Sequence, residues 1–148
     1  MELVKGNTRR VNNTDVVAVL HETFGDACQV FISDREYYLL DGRYVKDFVK
    51  ADQTDRILNR SKANLFDFSR ILVGRALENA LASGVDAGVA VGEIRGIISV
   101  DGKEKAKMSS HVVFITTLRE KTRIFLLDPK TDQFYLPNQK STYQTVFI

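Results

Sequence analysis

The spacing of apolar positions changes near the middle of this chain, from a helical period to a strand-like one. Val16, Val17, Val19, Leu20 and Phe24 recur at helical spacing between Asn13 and Gly25, with Asn13 or Thr14 as the cap and Gly25 as the stop. The β-rich run Ala27 to Ile32 predicts a short strand carrying Cys28, ended by the turn signal Ser33-Asp34. Between Asp41 and Ala51, Tyr44, Val45, Phe48 and Val49 form one stripe of a second helix, with Asp41 as its cap. The longest periodic segment is Asn64 to Ala82. There Leu65, Phe68, Ile71, Leu72, Ala76, Leu77, Ala80 and Leu81 make an apolar face broad enough to predict a central buried helix, ended at Ser83-Gly84.

Beyond residue 88 the period becomes that of strands. Val89 to Val100, His111 to Leu118, Arg123 to Leu127, Gln133 to Leu136 and Tyr143 to Ile148 are β-branched or aromatic runs. Turns at Asp101-Gly102, Arg119 to Thr122 and Asp128 to Asp132 separate them and are short enough to predict an antiparallel meander. Helices first and sheet second describe an α+β domain with its central helix on one sheet face. Gly88, Gly92 and Gly96 recur every four residues, as bulges, bends or points of close backbone packing. The final Tyr143 to Ile148 strand is either buried centrally or an edge through which two copies pair as a homodimer.

Length and composition narrow the class. The 148 residues, 44% of them hydrophobic and 27% charged, fit one globular domain spanning residues 1–148, with residues 1–12 as a flexible or peripheral segment. A net charge of +2 with mixed signs does not predict nucleic-acid binding, and the basic stretches Lys5 to Arg10 and Lys103 to Lys107 read as solvated surface. A single cysteine, Cys28, excludes an internal disulfide and predicts a reducing, cytoplasmic setting. Neither a secretory h-region at Met1 to Arg10 nor a span of about 20 apolar residues is present, so no membrane association is expected. His21 and His111 are far apart and lack a ligand cluster, and no complete nucleotide-binding motif occurs, so no metal or cofactor is expected.

The candidate chemistry lies where the central helix meets the strands. Papain- and transglutaminase-type hydrolases place a cysteine at the helix N-terminus, where the dipole lowers its pKa, opposite a strand histidine oriented by a carboxylate or amide. Here His111 opens one strand and Asp128 ends the next, while Leu65 stands at the helix start. The motifs Asp34-Arg35-Glu36-Tyr37-Tyr38-Leu39, Ala63-Asn64-Leu65-Phe66-Asp67-Phe68-Ser69, Ser110-His111-Val112-Val113 and Leu127-Asp128-Pro129-Lys130-Thr131 carry a family resemblance. Over roughly Cys28 to Pro137 the chain resembles the papain-like cysteine peptidase domain at the C-terminus of a mushroom agglutinin, related forms of which occur in phage and bacterial proteins. That family's helix start reads Phe-Asp-Cys-Asp-Asp-Phe-Ala.

The resemblance implies a papain-like core whose nucleophile is replaced by Leu65, with His111 and Asp128 as relics of the site. It implies a non-catalytic domain that binds another protein, encoded by a phage or mobile element and located in the host cytoplasm. The bland alternatives stand beside it: His111 as a polar residue at a strand start, and Asp128 as a turn former. A hydrolase using Cys28, or a hydroxyl such as Ser69 or Ser110, with His111 and Asp128 is the enzymatic alternative. An assembly protein pairing through its last strand is the structural one. Tyr37, Tyr38 and Tyr44 are candidates for a binding surface, with core packing as the competing role.

Overall fold

The computed structural model describes residues 8–53, 64–100 and 107–148. The turn expected at Asp101-Gly102 lies outside them, as do parts of both basic stretches. The elements run β1 (Arg9–Asn12), α1 (Asn13–Phe24), β2 (Gln29–Phe31), β3 (Glu36–Asp41), α2 (Gly42–Ala51), α3 (Leu65–Ala82), β4 (Gly88–Val89), β5 (Val91–Ile97), β6 (Ser109–Leu118), β7 (Lys121–Asp128), β8 (Gln133–Tyr135) and β9 (Thr142–Phe147).

Local chemistry sets the helix ends. Asn12, one residue before the predicted cap, accepts from the Asp15 amide, and Gly25 stops α1 at φ 93°, a conformation open to glycine. Asp41 caps α2 through the Arg43 amide. A reciprocal capping box joins Asn64 and Asp67 at the start of α3. Arg119 and Glu120, at φ 50° and 66°, form the tight turn of the β6–β7 hairpin.

The sheet is mixed, which corrects the expected antiparallel meander. β5, β6, β7 and β8 do run antiparallel in sequence, but β3 pairs in parallel with β6 and with β4, and β2 pairs in parallel with β9. Of these strands, β2 and β3 come from the helical half of the chain. Even the segment expected to be peripheral ends in a strand, with Arg9–Asn12 pairing against β3. β9 lies between β5 and β2, the central placement that was one of the two expected for it, with β2 pairing along Thr145–Phe147.

Helices cover both faces. Successive residues of a strand point to opposite sides. On β6, Val113 and Ile115 join the core with Val16, Leu20 and Phe24 of α1, whereas Val112 and Phe114 join the core with Val45 of α2 and Leu72 and Ala76 of α3. α3 is therefore one layer of a three-layer structure rather than a helix buried on most sides. Its Phe68, Leu72, Ala76 and Ala80 are buried, while Ile71 and Leu81 face solvent. β5 and β9 approach closely at Gly92, where a Cβ would lie 2.0 Å from the Phe147 carbonyl oxygen, and at Gly96, beside the β-bulge.

Candidate functional site

Leu65 stands where the sequence places it, as the first residue of α3 and half-buried. His111 does not face it. The β5–β6 ladder is regular from Val91↔Phe114 to Gly96↔Ser109, so His111 shares the face of Val113 and Ile115, the α1 side. Its neighbour there agrees: the imidazole meets Tyr135 edge-on with centroids 5.4 Å apart, and Tyr135 packs on the α1-side core. A hydrogen bond joins His111 Nδ1 to the Tyr135 hydroxyl. The backbone of β6 thus stands between Leu65 and the imidazole, and His111 is fully buried.

Asp128 ends β7 and spends its groups on the turn. Its Oδ1 accepts from the Lys130 amide at 3.0 Å, and its carbonyl accepts from the Asp132 amide at 2.9 Å. Its charge is nevertheless felt at Tyr135, whose phenol is pushed well above the ordinary range, first by burial and then by Tyr143 and Asp128. A phenol held in its neutral form is a poor nucleophile despite its place beside an imidazole. Cys28 lies in a bend just before β2, 2% exposed, and burial pushes its thiol up. That is the reverse of what activation requires.

The α3 side of the same strands carries groups that sequence reasoning did not assemble. Ser110 has the parity of Val112 and donates to Glu93 Oε2 at 2.5 Å. Glu93 Oε1 in turn accepts from Arg95 Nε at 3.0 Å and pairs with Arg95 Nη2 at 2.8 Å. The guanidinium lies 5.0 Å from the centroid of Phe66, in the first turn of α3, and 5.1 Å from that of Phe147 on β9. Ser110 and Glu93 are buried, and each acceptor oxygen of the carboxylate is engaged. The cluster neutralises its own charge and ties the start of α3 to β5 and β9.

Farther along α3 lies an open groove of about 350 Å³. Val73 and Leu77 of α3, Val91 of β5, Phe31 of β2 and Phe147 of β9 line it. The two phenyl rings stack with centroids 5.2 Å apart and are 51% and 40% exposed, an apolar surface left in water. Asp34 lines it as well. The tyrosines expected to form a binding surface divide their roles around it. Tyr37 is 1% exposed; its hydroxyl accepts from the Ser33 and Asp34 amides at 3.0 and 3.1 Å and donates to the Ile148 carbonyl, so it pins the end of the groove from within the core. Tyr38 donates to Asp86 at 3.1 Å and lies under Arg10. Tyr44 is half-buried on α2. Period-2 alternation puts Tyr37 and Tyr38 on opposite sides of β3, so the three do not make one surface. Among the described residues, no helix is long and apolar enough to cross a membrane and no cluster of metal-ligating side chains occurs.

The α+β fold, a sheet carrying helices on both faces, matches about half of each of two mushroom lectin chains. The chain is similar to the Polyporus squamosus lectin PSL1a in a complex with E-64, with a TM-score of 0.73 and 14% identity over 94% of this chain and 50% of that one. It is also similar to the Polyporus squamosus lectin bound to a human-type influenza-binding epitope, with a TM-score of 0.71 and 11% identity over 94% of this chain and 49% of that one. The chain thus spans about half the length of these lectin chains, and at such identities the likeness is one of fold. Neither a protein-family model nor a curated protein sequence matches it.

Proposed function

We propose that this chain is a non-catalytic binding module, a papain-like scaffold reused to hold a protein partner. One observation carries the reading: at the N-terminus of α3, where such a scaffold keeps its nucleophile, stand Leu65 and Phe66, while the strand histidine is turned through the sheet onto Tyr135. Hydrocarbon side chains at that point cannot attack a carbonyl. Meanwhile an apolar groove remains open on the same side of the sheet, as a binding module requires.

The test is chemical. The chain is treated with an epoxide that alkylates activated cysteines and a fluorophosphonate that labels activated serines, and its intact mass is read. No adduct is expected at Cys28, Ser69 or Ser110, and no cleavage of a mixed peptide substrate. A stoichiometric adduct, or turnover abolished by His111→Ala in a variant that still folds, would establish the hydrolase instead.

A further inference from the structure

We infer that the groove between α3 and the β9–β2 edge receives an extended peptide segment that lays one large apolar side chain against Phe31 and Phe147 and sets a basic side chain, two residues away, at Asp34. The inference rests on the binding-module reading and names the partner chemistry of its groove. Three observations on that side of the molecule converge. The lining is hydrocarbon apart from Ser33 and Asp34, which suits an aliphatic or aromatic side chain and offers a sugar few hydrogen-bonding partners. β2 ends the sheet among the described residues. The Phe31 carbonyl accepts from the Ile148 amide and so points at β9, and alternation turns the Val30 N–H and C=O outward. A partner strand can add to that edge through its backbone, with alternate side chains entering the groove.

Charge selects the second residue. Asp34 is the charged side chain lining the groove, whereas Arg95, close by, is already neutralised by Glu93. Asp34 is also held in place. Its amide donates to Tyr37, its Oδ2 accepts from Ser33 Oγ at 2.7 Å, and its side chain lies over Gly88, where an added Cβ would come within 2.7–2.8 Å of it. Gly88 is thus a positioning residue for the carboxylate, which makes it a second, independent handle. Because side chains on one face of a strand are two residues apart, the recognised pattern is apolar-x-basic or its reverse.

The experiment uses an immobilised array of acetylated, amidated peptides in which one Leu and one Lys occupy every spacing in a Ser/Thr background, probed with the labelled full chain. A spacing of two is expected to be retained best. Phe31→Ala, at an exposed position, lowers retention of those peptides by roughly tenfold. Asp34→Asn and Gly88→Ala each remove the preference for Lys by roughly threefold, the size of an exposed ion pair, and leave the preference for Leu. Retention of no peptide, retention unaffected by Phe31→Ala, or a preference for Glu over Lys overturns the inference. So does self-association of the chain that Phe31→Ala abolishes, which would assign the groove to a second copy. Mass spectrometry of the arrayed peptides separates the two claims, since cleavage would refute the non-catalytic reading whatever the groove selects.

Discussion

The two faces of β6 put similar raw materials to different ends. On the α1 side, His111 is fully buried, meets Tyr135 edge-on and is bonded to its hydroxyl. On the α3 side, Ser110 donates to Glu93, and Glu93 holds Arg95 between two phenyl rings. The imidazole, the group best suited to proton transfer near neutral pH, is buried on the α1 face, and the α3 face, with its apolar groove, carries a serine tied to a neutralised carboxylate. Residues that resemble a catalytic set in sequence become two structural clusters once one strand's alternation separates them. Each cluster then has its own energetic signature.

The largest effect is expected on the α1 face. His111→Ala opens a cavity in the buried site of the imidazole and takes the partner from the Tyr135 hydroxyl, costing about 3 kcal/mol. Urea unfolding measures it. Glu93→Ala comes next at about 2 kcal/mol, since it strands a partly exposed Arg95 and removes the acceptor of a buried Ser110. A cost for Glu93→Ala exceeding that of His111→Ala would reverse the ranking and make the α3-side cluster the main polar anchor of the sheet.

Tyr135→Phe sharpens the contrast through pH. The phenol's pKa is raised in the folded chain, so the folded form holds the proton more tightly than the unfolded one. That contribution is fully present below the ordinary tyrosine value of about 10 and is lost as pH rises above it toward the folded value, at a limit of about 1.4 kcal/mol per pH unit. At neutral pH, Tyr135→Phe should cost about 1 kcal/mol for the lost hydrogen bond. At strongly alkaline pH the variant should match or exceed the parent. Parallel urea curves at the two pH values decide it, and a constant difference between parent and variant would show that the folded phenol ionises normally.

What the sequence disclosed follows from where alternation or helical spacing was visible. α1 was legible from Val16, Leu20 and Phe24 with Gly25 as its stop, and α2 from Val45, Phe48 and Val49 with Asp41 as its cap. β3 was not, because Tyr37, Leu39, Leu40 and Asp41 are all buried in a strand covered on both faces, which erases the period-2 signal. β1 was too polar to announce itself, and with β3 went its parallel pairings to β4 and β6, which help make the sheet mixed. The site was harder for the same reason. Ser110, His111, Val112 and Val113 are all buried, so nothing in their pattern says which of Ser110 and His111 looks toward α3. A shift of one residue decides it. The groove joins Phe31, Val73, Val91 and Phe147 from four distant stretches of chain, and only the sheet order brings them together.

The smallest effect concerns Ser69, a second hydroxyl on the α3 side. Its Oγ is buried and has no hydrogen-bond partner among the described residues, in contrast to the Ser110 hydroxyl bonded to Glu93. Replacing Ser69 with alanine removes an unsatisfied polar atom, raises helix propensity by up to about 0.5 kcal/mol and vacates less space than a methyl group. These contributions favour the variant or leave it unchanged, so Ser69→Ala should be neutral or stabilising by about 0.5 kcal/mol, while Ser110→Ala should cost about 1 kcal/mol. A loss of more than about 1 kcal/mol in Ser69→Ala would mean that the hydroxyl is satisfied in solution by a partner on this face. A second polar anchor would then hold α3 to the sheet, and the contrast between one bonded and one idle serine would fail.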